Sequence, residues 1–177
     1  MSPLHIDLPF PETSYRGWRI ETFAQNGKTY HRLWHGDRIM MLNTPEIVAG
    51  FEIFLMQAHG HILINGLGIG MCAFYLLAKA RVKSLTVIEI EEDLVQLIDS
   101  LLPKDPRLNI LHADAFAYEP PEGMFYDYVW HDVWTTYSAR NVAQMKQLFA
   151  KYEDRSHWQD AWGRARCEQL LADKSKV

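Results

Sequence analysis

The stretch His61-Ile-Leu-Ile-Asn-Gly-Leu-Gly-Ile-Gly70 constrains the fold more than any other: an apolar run, Ile62 to Ile64, leads straight into glycines at 66, 68 and 70. A continuous apolar run is the mark of a parallel strand whose two faces are both covered. Glycines at its carboxyl end allow a tight turn, let a ligand approach the backbone, and expose the amides that open the next helix. An apolar helical pattern follows at once, from Met71 to Ala80. The expected unit is a strand, a nucleotide-binding loop and a helix, the first step of a doubly wound α/β domain.

The remaining elements are read around that unit. Residues 1–14 carry three prolines and read as an irregular arm. Residues 16–24 alternate as a strand does, Gln25-Asn26-Gly27-Lys28 is a hairpin turn, Thr29–Trp34 returns, and Arg38–Leu42 follows a second turn at His35-Gly36-Asp37. Thr44 and Pro45 open a helix with Ile47, Phe51, Phe54 and Leu55 on one face, running to about Gln57. Beyond the glycine loop, Ser84–Glu89 is a strand ending in an acid. Glu91-Glu92-Asp93 then opens a helix with Leu94, Leu97, Ile98 and Leu101 inward. Arg107–His112 and Phe125–His131 are the third and fourth strands, so the order β-α-β-α-β-β gives a mostly parallel sheet. Residues 135–177 read as two helices, Ala139–Tyr152 and about Trp158–Ala172, the second from Trp158, Ala161, Trp162 and Ala165 at helical spacing. Three parts result: an arm with a small antiparallel unit (1–44), a nucleoside-binding core (45–134) and a helical tail (135–177). The fourth strand is left with a free edge, which the tail helices or a second subunit are expected to cover.

Composition narrows the function. With 18 Lys and Arg against 22 Asp and Glu, the net charge is −4, which argues against broad binding to nucleic acid or anionic membranes. No apolar run approaches the roughly 20 residues of a membrane span, and the first residues lack a secretory pattern. Cys72 and Cys167 stand apart without CxxC spacing, as buried small apolar side chains in a reduced, cytoplasmic setting would. The histidine pairs His31/His35 and His59/His61 lack a third ligand at metal spacing, so no metal is expected.

The ligand follows from the strand ends. A dinucleotide loop usually runs G-x-G-x-x-G, the last glycine closing helix on strand beneath a pyrophosphate. In this chain Met71 holds that place and the pattern is G-x-G-x-G, which suits a nucleoside without a pyrophosphate. Glu89 ends the second strand, where a carboxylate accepts both ribose hydroxyls. Asp114 follows the third, where a carboxylate accepts an adenine amino proton. At the fourth, His131 and Asp132 are candidate bases, with Trp130, Trp134 and Tyr137 as aromatic walls.

Gly66-Leu-Gly-Ile-Gly70, Val87-Ile-Glu-Ile90, Asp114-Ala-Phe116 and Tyr126-Asp-Tyr-Val-Trp-His-Asp132 resemble the motifs of class I S-adenosylmethionine-dependent methyltransferases. Within them the chain looks most like the spermidine synthase branch, which also carries a small N-terminal β unit. It is similar, too, to small phage and prophage methyltransferase-like proteins with a tryptophan-rich tail. The resemblance covers roughly residues 14–134. It implies a Rossmann-like, mostly parallel α/β sheet, a truncated form of that fold with C-terminal helices. It implies S-adenosylmethionine, or a close analogue such as its decarboxylated form or methylthioadenosine, as cofactor. The glycine loop (Gly66, Gly68 and Gly70) would hold the amino-acid part, Glu89 the ribose, and Asp114 and Ala115 the adenine, with Asn65 and Ile90 also in the cofactor site. Asp132 stands where that branch keeps its catalytic aspartate. Ile69 departs from the family, because aminopropyltransferases carry an aspartate inside the loop. Methyl transfer to a small-molecule acceptor is therefore the leading expectation, ahead of aminopropyl transfer, a non-catalytic nucleoside binder, or a cofactor-degrading protein of viral type.

Overall fold

The computed structural model describes residues 4–174 and contains two sheets. The first is antiparallel, in the order β1 (Thr13–Tyr15), β2 (Trp18–Gln25), β3 (Lys28–His35), β4 (Arg38–Leu42). The hairpin turn falls at Asn26-Gly27, both at positive φ, which matches the right-handed twist of the strands it joins. The arm does more than expected: Thr13–Tyr15 pairs with Trp18–Ile20, and Ile6, Leu8 and Phe10 are buried in the main core.

The second sheet is fully parallel, in the order β7-β6-β5-β8-β9, from β5 (Gly60–Asn65), β6 (Val82–Glu89), β7 (Leu108–His112), β8 (Tyr126–His131) and β9 (Ser156–Ala161). The helices are α1 (Pro45–Val48), α2 (Glu52–Gln57), α3 (Met71–Leu77), α4 (Glu92–Asp99), α5 (Asn141–Tyr152) and α6 (Arg164–Lys174). The chain winds outward from β5 in one direction through β6 and β7, then returns to place β8 on β5's other side. That reversal makes the Rossmann-like switch point, and the crevice for a ligand lies beyond the carboxyl ends of β5, β6 and β8. Both faces of β5 are covered, as its apolar run demands: Ile62 and Ile64 pack with the α2–α3 side, while Leu63 packs with Tyr126, Val129 and Tyr152. The expected single helix over 45–57 is two short ones, because the chain bends at Ala49–Phe51.

The tail corrects the sequence reading. Residues 156–161 form β9, parallel to β8 with Tyr128 opposite Trp158 and His131 opposite Ala161, so the edge of β8 is paired within the chain. The helical tail of 135–177 is thus a helix, a strand and a helix. Trp158, Ala161 and Trp162 mimic helical spacing, but they serve different surfaces. Trp158 stacks over Phe54 (6.1 Å) and Trp130 (6.3 Å) on one face of the sheet. Ala161 packs with Val142, Met145 and Cys167 on the other. Trp162, past the strand's end, stacks on Tyr137 at 4.4 Å. Strand alternation was masked because Ser156 and Asp160, which share the face of Trp158, are polar.

The Phe54–Trp130–Trp158 stack ties β8 and β9 to α2. Trp158→Ala is expected to lower stability by about 2–3 kcal/mol, read as a lower urea midpoint with β9 loosened in hydrogen exchange.

Candidate functional site

Three strand ends build the site. Gly66 leaves β5 at φ 104°, donates its N–H to Ile88 O (2.7 Å), and lies directly beneath the Asp132 carbonyl, where a Cβ would collide. Asp132 in turn donates its N–H to Asn65 O (2.7 Å). Any side chain at 66 would push β8 from β5, so this glycine serves strand closure as well as the loop. Gly70 at φ 78° begins α3, and a Cβ there would press on Ile98 of α4; its service is to helix packing, and it does not line the cleft.

Glu89 is the hub. One carboxylate oxygen accepts the Leu67 N–H (2.9 Å) and the other the Glu91 N–H (3.0 Å), so the acid of β6 holds the glycine loop and the start of α4 together. Burial raises its pKa, opposed by these backbone bonds. A carboxylate has about four lone-pair sites, so these bonds leave acceptor capacity for a hydroxyl from the cleft that Glu89 lines.

That cleft has a volume of about 630 Å³, within the usual range for small-molecule sites. Gly66, Gly68, Glu89, Ile90, Asp114, Ala115 and Asp132 all line it. Ile90 is 60% exposed although apolar, a flat aliphatic face at the rim beside Asp114. Asp114 shapes its own turn by accepting the Phe116 N–H at 2.9 Å. Asp132 is pushed up to about 7, first by burial and then by the negative charge of Glu89. A carboxyl group poised near neutrality in a cleft is the state expected of a general base.

Two further expected residues lie elsewhere. Asn65 and His131 point to the opposite face of the sheet, where Asn65 Nδ2 meets His131 Nδ1 at 2.8 Å and His131 Nε2 meets Gln159 Oε1 at 3.2 Å. His131 is fully buried, and burial lowers it to about 4, so it is neutral at physiological pH, and it does not line the cleft. Trp130 also leaves the wall, joining the aromatic stack beneath the sheet. Neighbouring strand residues face opposite sides, which separates Trp130 from His131, while Asp132, past the end of β8, lines the cleft. His31 bonds to Phe10 O, His35 stacks on Trp18, His59 bonds to Gln57 O and His61 to Ser84 Oγ.

Sequence reasoning missed most of the lining. The antiparallel sheet roofs the cleft with Trp18 and His35 (stacked at 4.2 Å), Ile39, Met40 and Met41. The tail adds Trp162 against Tyr137, and Gln144, which accepts the Trp134 Nε1–H at 2.8 Å. Excess aromatic residues in both flanking segments were the only hint.

The chain matches no protein-family model and no curated protein. Among solved structures it is similar to spermidine synthase from Thermotoga maritima (TM-score 0.55, 18% identity), covering 82% of this chain and 53% of that one. It is also similar to a proposed RNA methyltransferase from Pyrococcus horikoshii (TM-score 0.51, 14% identity), covering 75% of this chain and 68% of that one. The chain spans about half the length of the spermidine synthase. At these identities the likeness is one of fold: a Rossmann-like sheet of the methyltransferase type with a small antiparallel sheet beside it. Among the described residues no helix is long and apolar enough to cross a membrane.

The raised Asp132 carboxyl has a consequence for stability. Its folded pKa of about 7 exceeds the ordinary 3.8, so ionisation costs the fold nothing in acid. The cost then grows as pH rises from about 4 to about 7, and stays constant above. Asp132→Asn should therefore unfold at least about 3 °C higher than the parent at pH 8, with the gain vanishing at pH 4 in paired thermal melts.

Proposed function

We propose that this chain binds an S-adenosyl-type nucleoside across the ends of β5, β6 and β7 and transfers a group from its sulfonium to a small acceptor, methyl transfer being the leading reading. The observation that carries it is Glu89: a buried carboxylate, held by two backbone amides, with acceptor capacity turned into a cleft that Asp114, Ile90 and the glycine loop share. Glu89 would take the ribose hydroxyls, Asp114 the adenine amino group, and Ile90 with Ala115 the faces of the base. Bound S-adenosylmethionine supplies a methyl group on a good, neutral leaving thioether.

The chain's own part is to position the acceptor and to take its proton. Asp132 is suited to the second task, since near pH 7 it is ionised often enough to accept a proton at its carboxylate and basic enough to hold it. Trp134, Tyr137 and Trp162 form an aromatic wall beside it, and electron-rich rings favour a cation lying against them. The charged residues lining the cleft are Glu89, Glu91, Asp114 and Asp132, with neither Lys nor Arg among the lining residues. That lining favours a cationic acceptor, and on this ground aminopropyl transfer to an amine is the second reading. Ile69, apolar at the place of the aminopropyltransferase aspartate, weighs against it.

Titration calorimetry with S-adenosylmethionine, S-adenosylhomocysteine, methylthioadenosine and NAD tests the nucleoside site. Adenosine sulfur compounds should bind and NAD should not; binding of NAD alone would sink the proposal. Glu89→Gln should weaken nucleoside binding at least tenfold, because the new amide turns an N–H toward a backbone N–H and loses an acceptor. Asp132→Asn should abolish transfer while leaving nucleoside affinity within about threefold. The parent's turnover should rise with pH through about 7 as Asp132 loses its proton.

A further inference from the structure

The glycine loop is already in contact with a side chain of the molecule itself. Met41, on β4 of the antiparallel sheet, lays its thioether on the loop: Ile69 donates its N–H to Met41 Sδ at 3.3 Å. Gly68, at φ 52°, is the residue that makes room, since a Cβ there would overlap that sulfur. Only a small gap remains behind Met41, bounded by Gly66, Leu67, Cys72, Trp130 and Asp132. The closest approach that the glycines permit is thus made by an apolar, flexible group on an amide that a ligand oxygen would otherwise use.

We propose that Met41 is a specificity-determining residue, which occupies the amide subsite along the glycine loop and lowers the affinity for a nucleoside's amino-acid tail relative to its adenosine part. This rests on the nucleoside reading above. A tail laid along the loop must first displace the thioether from the Ile69 amide. Its carboxylate then finds no Lys or Arg to pair with among the lining residues, and in that lining only the tail's ammonium meets opposite charge. A methylthio group is compact and uncharged, ends short of the loop, and meets neither cost. Met41 is a weak acceptor on a chain with three rotatable bonds, so the barrier is graded and the tail is disfavoured without being shut out.

The discriminating pair is 5′-methylthioadenosine and S-adenosylhomocysteine, which share the adenosine and a neutral sulfur and differ in the tail. The parent chain should bind the first at least tenfold more tightly by calorimetry. Met41→Ala should tighten S-adenosylhomocysteine about tenfold and change methylthioadenosine by less than threefold. Met41→Val, which also removes the sulfur and suits a strand, should do the same, and thermal melts of both variants establish that they are folded. An unchanged or weakened affinity for S-adenosylhomocysteine in a folded variant, or an equal change for both ligands, overturns the role of Met41 alone. Failure of the parent chain to bind either nucleoside overturns the nucleoside site, and this role falls with it.

Discussion

The rest of the molecule depends on one carboxylate accepting two amides. Glu89 receives the N–H of Leu67 from the glycine loop and that of Glu91 from the turn into α4. Two connections that leave adjacent strands are thereby fixed to a single side chain, and both helices that follow are set in direction. A buried acid is costly unless its oxygens are hydrogen-bonded, and here the bonds that satisfy it are the ones that shape the loop. Glu89 also lines the cleft, so the group that ties the loop to the turn borders the space beside them.

Much of this was legible in the sequence because the signals are local. The apolar run of β5, the spacing of Gly66 and Gly68, and the acid at the end of β6 each follow from one element's own chemistry, and the structure brings Glu89, Ile90, Asp114, Ala115 and Asp132 to one cleft. What stayed hidden is long-range or alternates too finely. Met41 and Trp18 reach the cleft only because the antiparallel sheet folds over it, a contact no periodicity encodes. His131 read as a candidate base beside Asp132, whereas strand alternation sends it to the face under α5. Gly70 read as a ligand glycine, but its hydrogen makes room for Ile98.

The fifth strand is the most instructive difference. β9 has six residues, and its apolar content is one tryptophan and one alanine. Its place in the sheet comes from partners rather than from propensity: Trp158 completes an aromatic stack begun by Phe54 and Trp130, and Gln159 donates to Phe149 O while its Oε1 meets His131. Such a strand is recruited by the surface prepared for it, so its own residues advertise little.

The roof of the cleft has a thermodynamic meaning beyond shape. Trp18, His35 and Met41 belong to one sheet and Glu89, Asp114 and Asp132 to the other, so whatever fills the space between them touches both. Occupancy then acts as mortar: the antiparallel sheet, held otherwise by contacts such as the Tyr15 hydroxyl on Gln96 (2.6 Å), gains cohesion in proportion to how far ligand concentration exceeds its dissociation constant. Loosening of the hairpins and emptying of the cleft are in that sense a single equilibrium seen from two sides.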